Sequence, residues 1–364
     1  MILYIVLIVA MTVCVFADNS RQKIRLIKKK ESVSVVLAMI FSWILFLISG
    51  FRYNTGTDYI NYAQNYETKR AGIDTYWLNY EPGFDFLNFF VSKTFGEVQV
   101  LFIICSGVTM YFVYRSYKKN SVDKYLSVYL FVMLYFFFSS FNYVRQYMAI
   151  SLVLFAIDDL INKNFKNYLI KVAVASLFHS TSLLMIPFYF IARRKMRLGV
   201  YIPLGVILML SRIFYQQIIV IVTKIVPKYA IYLDFEGGGA TVSLLLLMIN
   251  FVLLLAITHK KRKSKEHKEE IKYTNNIENV YLNACFFALC FYSLASINTL
   301  FSRVGSYFFV LSTLSIPYVI NKKWKGGKLL IVRIVVCAIS IGVCIYNLNA
   351  NNCGVIPYNW IFIR

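Results

Sequence analysis

Long apolar runs alternate with short polar segments along almost the whole chain. Many runs approach the roughly 20 residues that a helix needs to cross a bilayer. The pattern predicts an all-α, polytopic membrane protein with about twelve spans. The run 167–192 is too long for one ordinary span, and it predicts a helical hairpin that turns at 178–181. The predicted spans are about 2–17, 33–51, 97–116, 125–140, 143–160, the two arms of 167–192, 198–215, 241–259, 279–298, 304–320 and 329–346.

Basic residues follow every second predicted span. The basic loops are about 18–32, 117–124, 161–167, 193–197, 260–277 and 321–328. The positive-inside rule assigns such loops to the cytoplasm. It therefore predicts that both termini and two larger loops, about 52–96 and 216–240, are extracytoplasmic. The polar segments leave no room for a soluble domain, so residues 1–364 are predicted to form a single transmembrane domain.

Composition and charge agree with this interpretation. The chain is 59% hydrophobic and 15% charged, whereas soluble domains carry roughly a quarter charged residues. Most of the net charge of +22 lies in the predicted cytoplasmic loops, where it faces anionic lipid. Membrane lipids are therefore expected partners. Because no basic face with interleaved aromatic residues is present, nucleic acid is not an expected partner.

The loop 52–96 gathers charged and aromatic residues between two apolar runs. Arg52, Asp58 and Glu81 lie in it beside many tyrosines, and the amphipathic segment 84–95 is predicted to lie along the outer interface. A solvated linker is the alternative interpretation. The mixed charges and dense aromatic residues favour a functional surface.

Three arginines, Arg52, Arg145 and Arg303, lie at the outer ends of apolar helices. Ionisable groups at such depth are costly and are often functional. The guanidinium fork binds phosphate oxygens in a bidentate manner, so three arginines at one mouth predict a phosphate or diphosphate ligand. Arginines that snorkel to lipid headgroups are the alternative.

Other candidate residues carry acid–base and sugar-binding chemistry. His179 lies between two apolar half-helices. Three roles are open for it: a core residue with local hydrogen bonds, a proton acceptor, or a phosphate ligand. Either Asp58 or Glu81 could be the general base for an attacking hydroxyl. Tyr53 and Tyr62 offer flat faces that suit sugar rings, although such rings also suit a membrane-interface belt.

Six segments, taken in their order along the chain, resemble the motifs of the EpsG-type, Wzy-like polysaccharide polymerases. They are FRYNTGTDYINY, YEPGFDFLN, VRQYMAISLVLFAI, LFHSTSLLMIP, SRVGSYF and IPYNW, and together they cover most of the chain. The resemblance implies transfer of a growing glycan from undecaprenyl diphosphate onto a lipid-linked repeat unit, at the outer face of the bacterial cytoplasmic (inner) membrane. It implies an O-antigen, capsule or exopolysaccharide product, and a fold that resembles the C superfamily of membrane glycosyltransferases.

The resemblance also implies roles for individual residues. Arginines and His179 would bind the diphosphate, where cations stabilise the departing charge, and Asp58 or Glu81 would be a base or a sugar ligand. The implied catalytic set is Asp58, Glu81 and His179, and the implied substrate-binding set is Arg52, Tyr53, Tyr62, Arg145, Arg303 and Tyr307.

The expected partners and cofactors follow from the same reading. The substrate would be an undecaprenyl-diphosphate-linked oligosaccharide, and a flippase and a chain-length regulator are further candidate partners. The seven cysteines show no CxxC or Cys/His metal spacing, and no compact Asp-x-Asp pair is present. We therefore predict a metal-independent transferase with no cofactor.

Two other functions are alternatives to a polymerase. A flippase for lipid-linked oligosaccharides, or another secondary transporter, would place charges near the midplane within two repeats. Here the charges gather at outer helix ends, and no internal repeat is found. A membrane O-acyltransferase would need a deep histidine and a cytosolic donor, whereas His179 is predicted on the outer side.

Overall fold

The computed structural model describes most of the chain. The described residues are 1–17, 23–26, 29–73, 81–196, 198–214, 217, 220–221, 223–224, 241–258, 268–295 and 297–362. Most of the predicted outer loop 216–240 lies outside them, as do residues 74–80 of the loop 52–96 and the start of the basic loop 260–277.

Helices occupy the predicted apolar segments, so the all-α class is confirmed for the described residues. They are α1 (Ile2–Ala17), α2 (Val33–Gly50), α3 (Tyr59–Arg70), α4 (Pro82–Thr94), α5 (Val98–Asn120), α6 (Lys124–Met133), α7 (Phe136–Ser139), α8 (Val144–Ile161), α9 (Phe165–Ser176), α10 (Met185–Ala192), α11 (Leu198–Ile213), α12 (Thr241–Thr258), α13 (Lys268–Leu294), α14 (Thr299–Phe309), α15 (Ser312–Lys323) and α16 (Gly326–Asn349). A 3₁₀ turn, Ser180–Leu184, precedes α10. The exception is a short antiparallel pair in the first basic loop, β1 (Lys23–Leu26) and β2 (Lys29–Ser32).

Several helices are long and apolar enough to cross a membrane, which makes the chain a polytopic membrane protein. Among the described residues there are five, or six if α14 and α15, which meet at a 45° bend, form one span. The five are Val33–Gly50, Val98–Asn120, Thr241–Thr258, Thr274–Leu294 and Gly326–Asn349. The other predicted spans hold shorter helices, except 143–160, where α8 has 18 residues. Twelve crossings and the likeness to the C superfamily of glycosyltransferases stay predictions.

Two predicted spans are broken. The segment 125–140 forms α6 and α7 because Tyr135 adopts a left-handed conformation with φ of 72°. This conformation is uncommon for a residue other than glycine. The segment 304–320 is interrupted after Phe309 and resumes at Ser312. Within 167–192, α9 ends at Ser176 and the 3₁₀ turn begins at Ser180, so the helix breaks close to the predicted turn. The packing of the two arms as a hairpin stays a prediction.

The chain forms two compact units. The first contains residues 1–159, 164–184 and 320–364, and the second contains 160–163 and 185–319. In the first unit α2 packs along α5 and α6, α1 and α16 pack on α6, and α3 and α4 pack on α5. In the second unit α13 packs against α10, α11, α12 and α14. The predicted single transmembrane domain stays a prediction.

A buried ion pair closes one end of the first unit. Arg333 of α16 donates to Asp123 Oδ2 at 2.5 Å, just before α6. Ser34, at the start of α2, donates its hydroxyl to Asp123 Oδ1 at 3.3 Å. These bonds join three helices at this end. The candidate functional residues of the first unit lie beyond the other end of α2, about 25 Å along its 18 residues at 1.5 Å per residue.

Candidate functional site

The loop that follows α2 pairs with the C-terminal segment. We call residues 353–361 the C-terminal clamp. Its backbone exchanges hydrogen bonds with residues 51–57, and Arg52 and Trp360 form an isolated antiparallel bridge. The bonds are Tyr53 N–H to Asn359 O (2.9 Å), Gly56 N–H to Gly354 O (2.9 Å), Thr57 N–H to Cys353 O (3.2 Å) and Ile361 N–H to Phe51 O (3.1 Å).

Arg52 lies inside this pairing and is only 2% exposed. Its guanidinium donates to three backbone carbonyls, those of Ser49 (2.5 Å), Thr55 (3.2 Å) and Phe141 (2.9 Å). The rings of Phe102 and Phe141 lie 4.8 and 4.7 Å from its guanidinium carbon. Burial lowers the pKa of Arg52 to about 10, so the group remains charged at neutral pH. These contacts bind Arg52 to the protein's own backbone.

Asn142 connects the clamp to the Gly-Thr-Asp sequence. Its amide nitrogen donates to Cys353 O at 2.9 Å, and its amide oxygen accepts from the Asp58 N–H at 3.4 Å. Gly56 has a φ of +104°, and a Cβ there would lie 2.7 Å from the Asn142 oxygen. Only glycine supplies both this backbone conformation and this close approach. The geometry explains why glycine stands two residues before Asp58.

The N-terminus lies at the same end of the first unit. The Tyr4 hydroxyl donates to Val355 O in the clamp at 3.0 Å, and its ring packs edge-on against Tyr358. The start of α1, the loop after α2 and the clamp are therefore neighbours.

The second half of the site begins where α4 meets the turn after α9. Two backbone N–H groups at the start of α4, Gly83 and Phe84, donate to Leu177 O at 2.8 and 3.3 Å. A Cβ on Gly83 would lie 2.7 Å from Leu177 Cβ and 2.9 Å from its carbonyl oxygen. Glycine thus lets the two backbones touch. The contact brings Glu81, just before α4, beside His179 and Ser180.

Glu81 is the centre of a cluster of polar side chains. Its Oε1 accepts from the Ser180 N–H (3.1 Å) and hydroxyl (3.2 Å) and lies 3.2 Å from His179 Nδ1. Its Oε2 accepts from Nη1 of Arg145, the second residue of α8. We call Glu81, Arg145, His179 and Ser180 the Glu81 cluster. The side chains of Arg145, His179 and Glu81 are 23%, 17% and 11% exposed, so the cluster is partly exposed.

The electrostatics of Glu81 follow from these partners. Burial alone would raise the pKa of its carboxyl group. The neighbouring His179 imidazole, the charge of Arg145 and the Ser180 N–H outweigh burial and hold the pKa of Glu81 well below its ordinary value. Glu81 is therefore an anion at neutral pH.

Tyr62 and Asp58 lie next to this cluster. Burial raises the pKa of Tyr62, the Arg145 guanidinium counteracts this rise, and the Asp58 carboxylate adds to it. Burial is the largest cause of that raised pKa. Phe84 contacts both Tyr62 and Arg145, with its ring 5.7 Å from the Tyr62 ring and 5.9 Å from the Arg145 guanidinium carbon. Tyr53 is exposed, and its ring lies 6.0 Å from Tyr59.

The remaining predicted residues belong to the second unit. Arg303 and Tyr307 lie one turn apart on α14, so they share a face of that helix. Arg303 is partly buried, and Tyr307 is buried at 1% exposure. The predicted convergence of Arg303 with Arg52 and Arg145 stays a prediction.

Sequence reasoning did not select two residues that the structure places among these contacts. Ser180 supplies two donors to Glu81, and Asn142 joins Asp58 to the clamp. Ser180 follows His179 within FHST, and Asn142 stands three residues before Arg145 within FNYVR. A search for polar neighbours of the candidate His and Arg would have found them. Within the described residues, no group of three or more His, Cys, Asp or Glu side chains could hold a metal ion.

The fold and the cluster define a polytopic helical membrane protein with clustered arginine, histidine and glutamate side chains beside the loop after α2. The model of the EpsG family matches residues 35–360. The chain therefore belongs to the EpsG family, and the resemblance read from its motifs is confirmed. Neither the curated proteins nor the solved structures give a significant match. Membership of this family indicates a polysaccharide polymerase of the glycosyltransferase type.

Proposed function

We propose that the protein polymerises a polysaccharide by transferring a growing glycan from undecaprenyl diphosphate onto a lipid-linked repeat unit. The reaction would take place at the outer face of the bacterial cytoplasmic membrane. The observation that carries the proposal is the Glu81 cluster, which holds Arg145 and His179 side by side and accessible. A diphosphate leaving group needs such cationic donors, preorganised where its charge develops.

The proposed step is a substitution at the anomeric carbon of the donor glycan. The acceptor hydroxyl oxygen forms a bond to this carbon while the bond from the carbon to the diphosphate oxygen breaks. The bonding pair leaves with undecaprenyl diphosphate, and the hydroxyl proton passes to a carboxylate. Arg145 and His179 bind the departing diphosphate. Asp58, beside Tyr62, is the carboxylate we assign as the proton acceptor.

Other residues have supporting roles in this proposal. Tyr53 is exposed beside the Asp58 loop and offers a ring to a sugar. The SRVGSYF motif supports Arg303 and Tyr307 as further substrate-binding residues. We propose that the transfer is metal-independent, with the cations of the chain stabilising the diphosphate. We also propose that both termini lie at the outer face of the membrane. The hydrogen bond from Tyr4 to Val355 supports this, because it brings the two ends of the chain together.

Chain-length analysis of the cell's polysaccharide tests the proposal. Alanine at Arg145, His179 or Arg303 is expected to reduce long-chain glycan at least about a hundredfold, the scale for losing one preorganised donor. Single lipid-linked repeat units should persist. The matched control is Arg70→Ala, since Arg70 is an exposed arginine on α3 that pairs only locally with Glu67. Normal chain length in all three alanine variants would contradict the proposed function.

A further inference from the structure

The carboxylate of Glu81 is surrounded by donors on both oxygens. Oε1 receives the Ser180 N–H and hydroxyl and faces His179 Nδ1, and Oε2 receives Arg145. A general base must take a proton from substrate at a pH near its own pKa. The partners of Glu81 do the opposite, because each favours its ionised form. Glu81 is poorly suited to the role of base that its sequence motif allowed.

The same contacts give Glu81 another role. The side chains of Arg145 and His179 come from elements 34 residues apart in sequence, and one carboxylate contacts both. In a His–carboxylate pair, the bond at one ring nitrogen fixes the orientation of the ring and determines which nitrogen reaches the substrate. With Nδ1 directed at Glu81, the substrate-directed nitrogen is Nε2.

We infer that Glu81 is a positioning residue, whose carboxylate orients the His179 ring and the Arg145 guanidinium so that both cationic groups bind one diphosphate. This inference rests on the proposed function. It deepens that function because it makes the charged imidazolium, with Nε2 as donor, the diphosphate-binding form of His179. Of the two candidate bases, Asp58 and Glu81, it leaves Asp58 as the general base.

The charges around His179 determine the pH at which it binds diphosphate. Among the described residues of the first unit, the charged and titratable groups near His179 include Glu81 before α4 and Arg145 on α8, with Tyr62 of α3 and Asp58 of the preceding loop beside Arg145. Glu81 is the anion in contact with the imidazole. Its removal would leave His179 facing the positive charge of Arg145, so the imidazolium would lose its proton at lower pH.

Glu81→Gln tests this consequence, because glutamine keeps the shape and the acceptor oxygen but carries no charge. The measurement is the affinity of the purified protein for inorganic diphosphate across the range in which histidine titrates. Wild-type protein should bind tightly below a midpoint and weakly above it. In Glu81→Gln this midpoint should fall by about one pH unit or more, the scale for losing a contacting opposite charge. Glu81→Asp should lie between the two.

Two controls separate positioning from folding. Asp85→Asn removes another carboxylate of α4, which pairs with Lys69 at 3.0 Å, and should leave the midpoint unchanged. His179→Asn should abolish the pH step. An unchanged midpoint in Glu81→Gln would overturn the inference. So would complete loss of polymerisation at every pH in both Glu81→Gln and Glu81→Asp, with diphosphate binding intact, because that result would make Glu81 the base.

The outcomes for the two proposals are distinguishable. If His179→Ala and Arg145→Ala abolish long chains while Glu81→Gln keeps the wild-type midpoint, only the positioning role fails. If the alanine variants make normal chains, the polymerase site itself is misassigned.

Discussion

The sequence predicts the same diphosphate-binding role for Arg52 and Arg145, yet the surroundings of the two side chains differ. Arg52 donates to three backbone carbonyls and lies between two phenyl rings, with almost no exposed surface. Arg145 pairs with the carboxylate of Glu81 and is partly exposed. The first guanidinium is committed to the fold of the loop after α2. The second contacts an acid at an accessible surface, where a phosphate oxygen can take a position beside it.

The comparison separates two roles that the same residue type can have in a membrane protein. Carbonyl groups at the end of a helix need donors when they are buried. An arginine that supplies these donors caps the helix, and moving its side chain away would leave buried carbonyl groups without hydrogen bonds. An arginine whose partner is another side chain retains its freedom to bind substrate. The contacts therefore favour a structural role for Arg52 and a substrate role for Arg145.

The largest expected effect that tests this comparison is on Arg52→Ala. Each buried carbonyl left without a donor costs about 1–3 kcal/mol, and three of them approach the total stability of a typical protein, about 5–15 kcal/mol. We expect little folded protein in the membrane, measured as monodisperse protein after detergent extraction. Arg145→Ala should keep its abundance and lose only long chains. Normal abundance of Arg52→Ala, with polymer lost, would assign Arg52 to the substrate instead.

A smaller effect is expected where the C-terminal clamp meets the loop. Asn142→Ala removes the bond to Cys353 O and the bond from the Asp58 N–H, a loss of about 1–3 kcal/mol. The thermal unfolding midpoint of the purified protein should fall. The matched control is Asn352→Ala, an exposed residue beside the clamp that bonds only to Asn347. Equal midpoints for the two variants would show that the Asn142 side chain does not stabilise the contact between the clamp and the loop.

Much of the fold could be predicted because hydrophobic length encodes helices directly. The segments 33–51 and 143–160 correspond closely to α2 and α8, and the amphipathic segment 84–95 corresponds to α4. The break at Tyr135 could not be predicted, since its left-handed backbone occurs at a residue that no turn rule selects. The break falls within an apolar run, so hydropathy gives no sign of it.

The candidate site was predictable as a set of residues but not as an arrangement. Motifs singled out Glu81, Arg145 and His179, but nothing in their spacing indicated that one carboxylate would contact both cations. That contact depends on Gly83 meeting Leu177, a backbone approach between distant segments. The pairing of the clamp with the loop after α2 could not be predicted for another reason. The clamp binds mainly through backbone groups, which every sequence supplies.

The central claim is that the Glu81 cluster binds the diphosphate of a polymerising glycan. The most direct test uses purified protein with a synthetic undecaprenyl-diphosphate repeat unit, and a gel that resolves chain length. Wild-type protein should give a ladder, whereas Arg145→Ala and His179→Ala should leave only the single unit. A wild-type ladder from both variants would contradict the claim. So would wild-type protein that makes no ladder but moves the lipid-linked unit across a vesicle membrane.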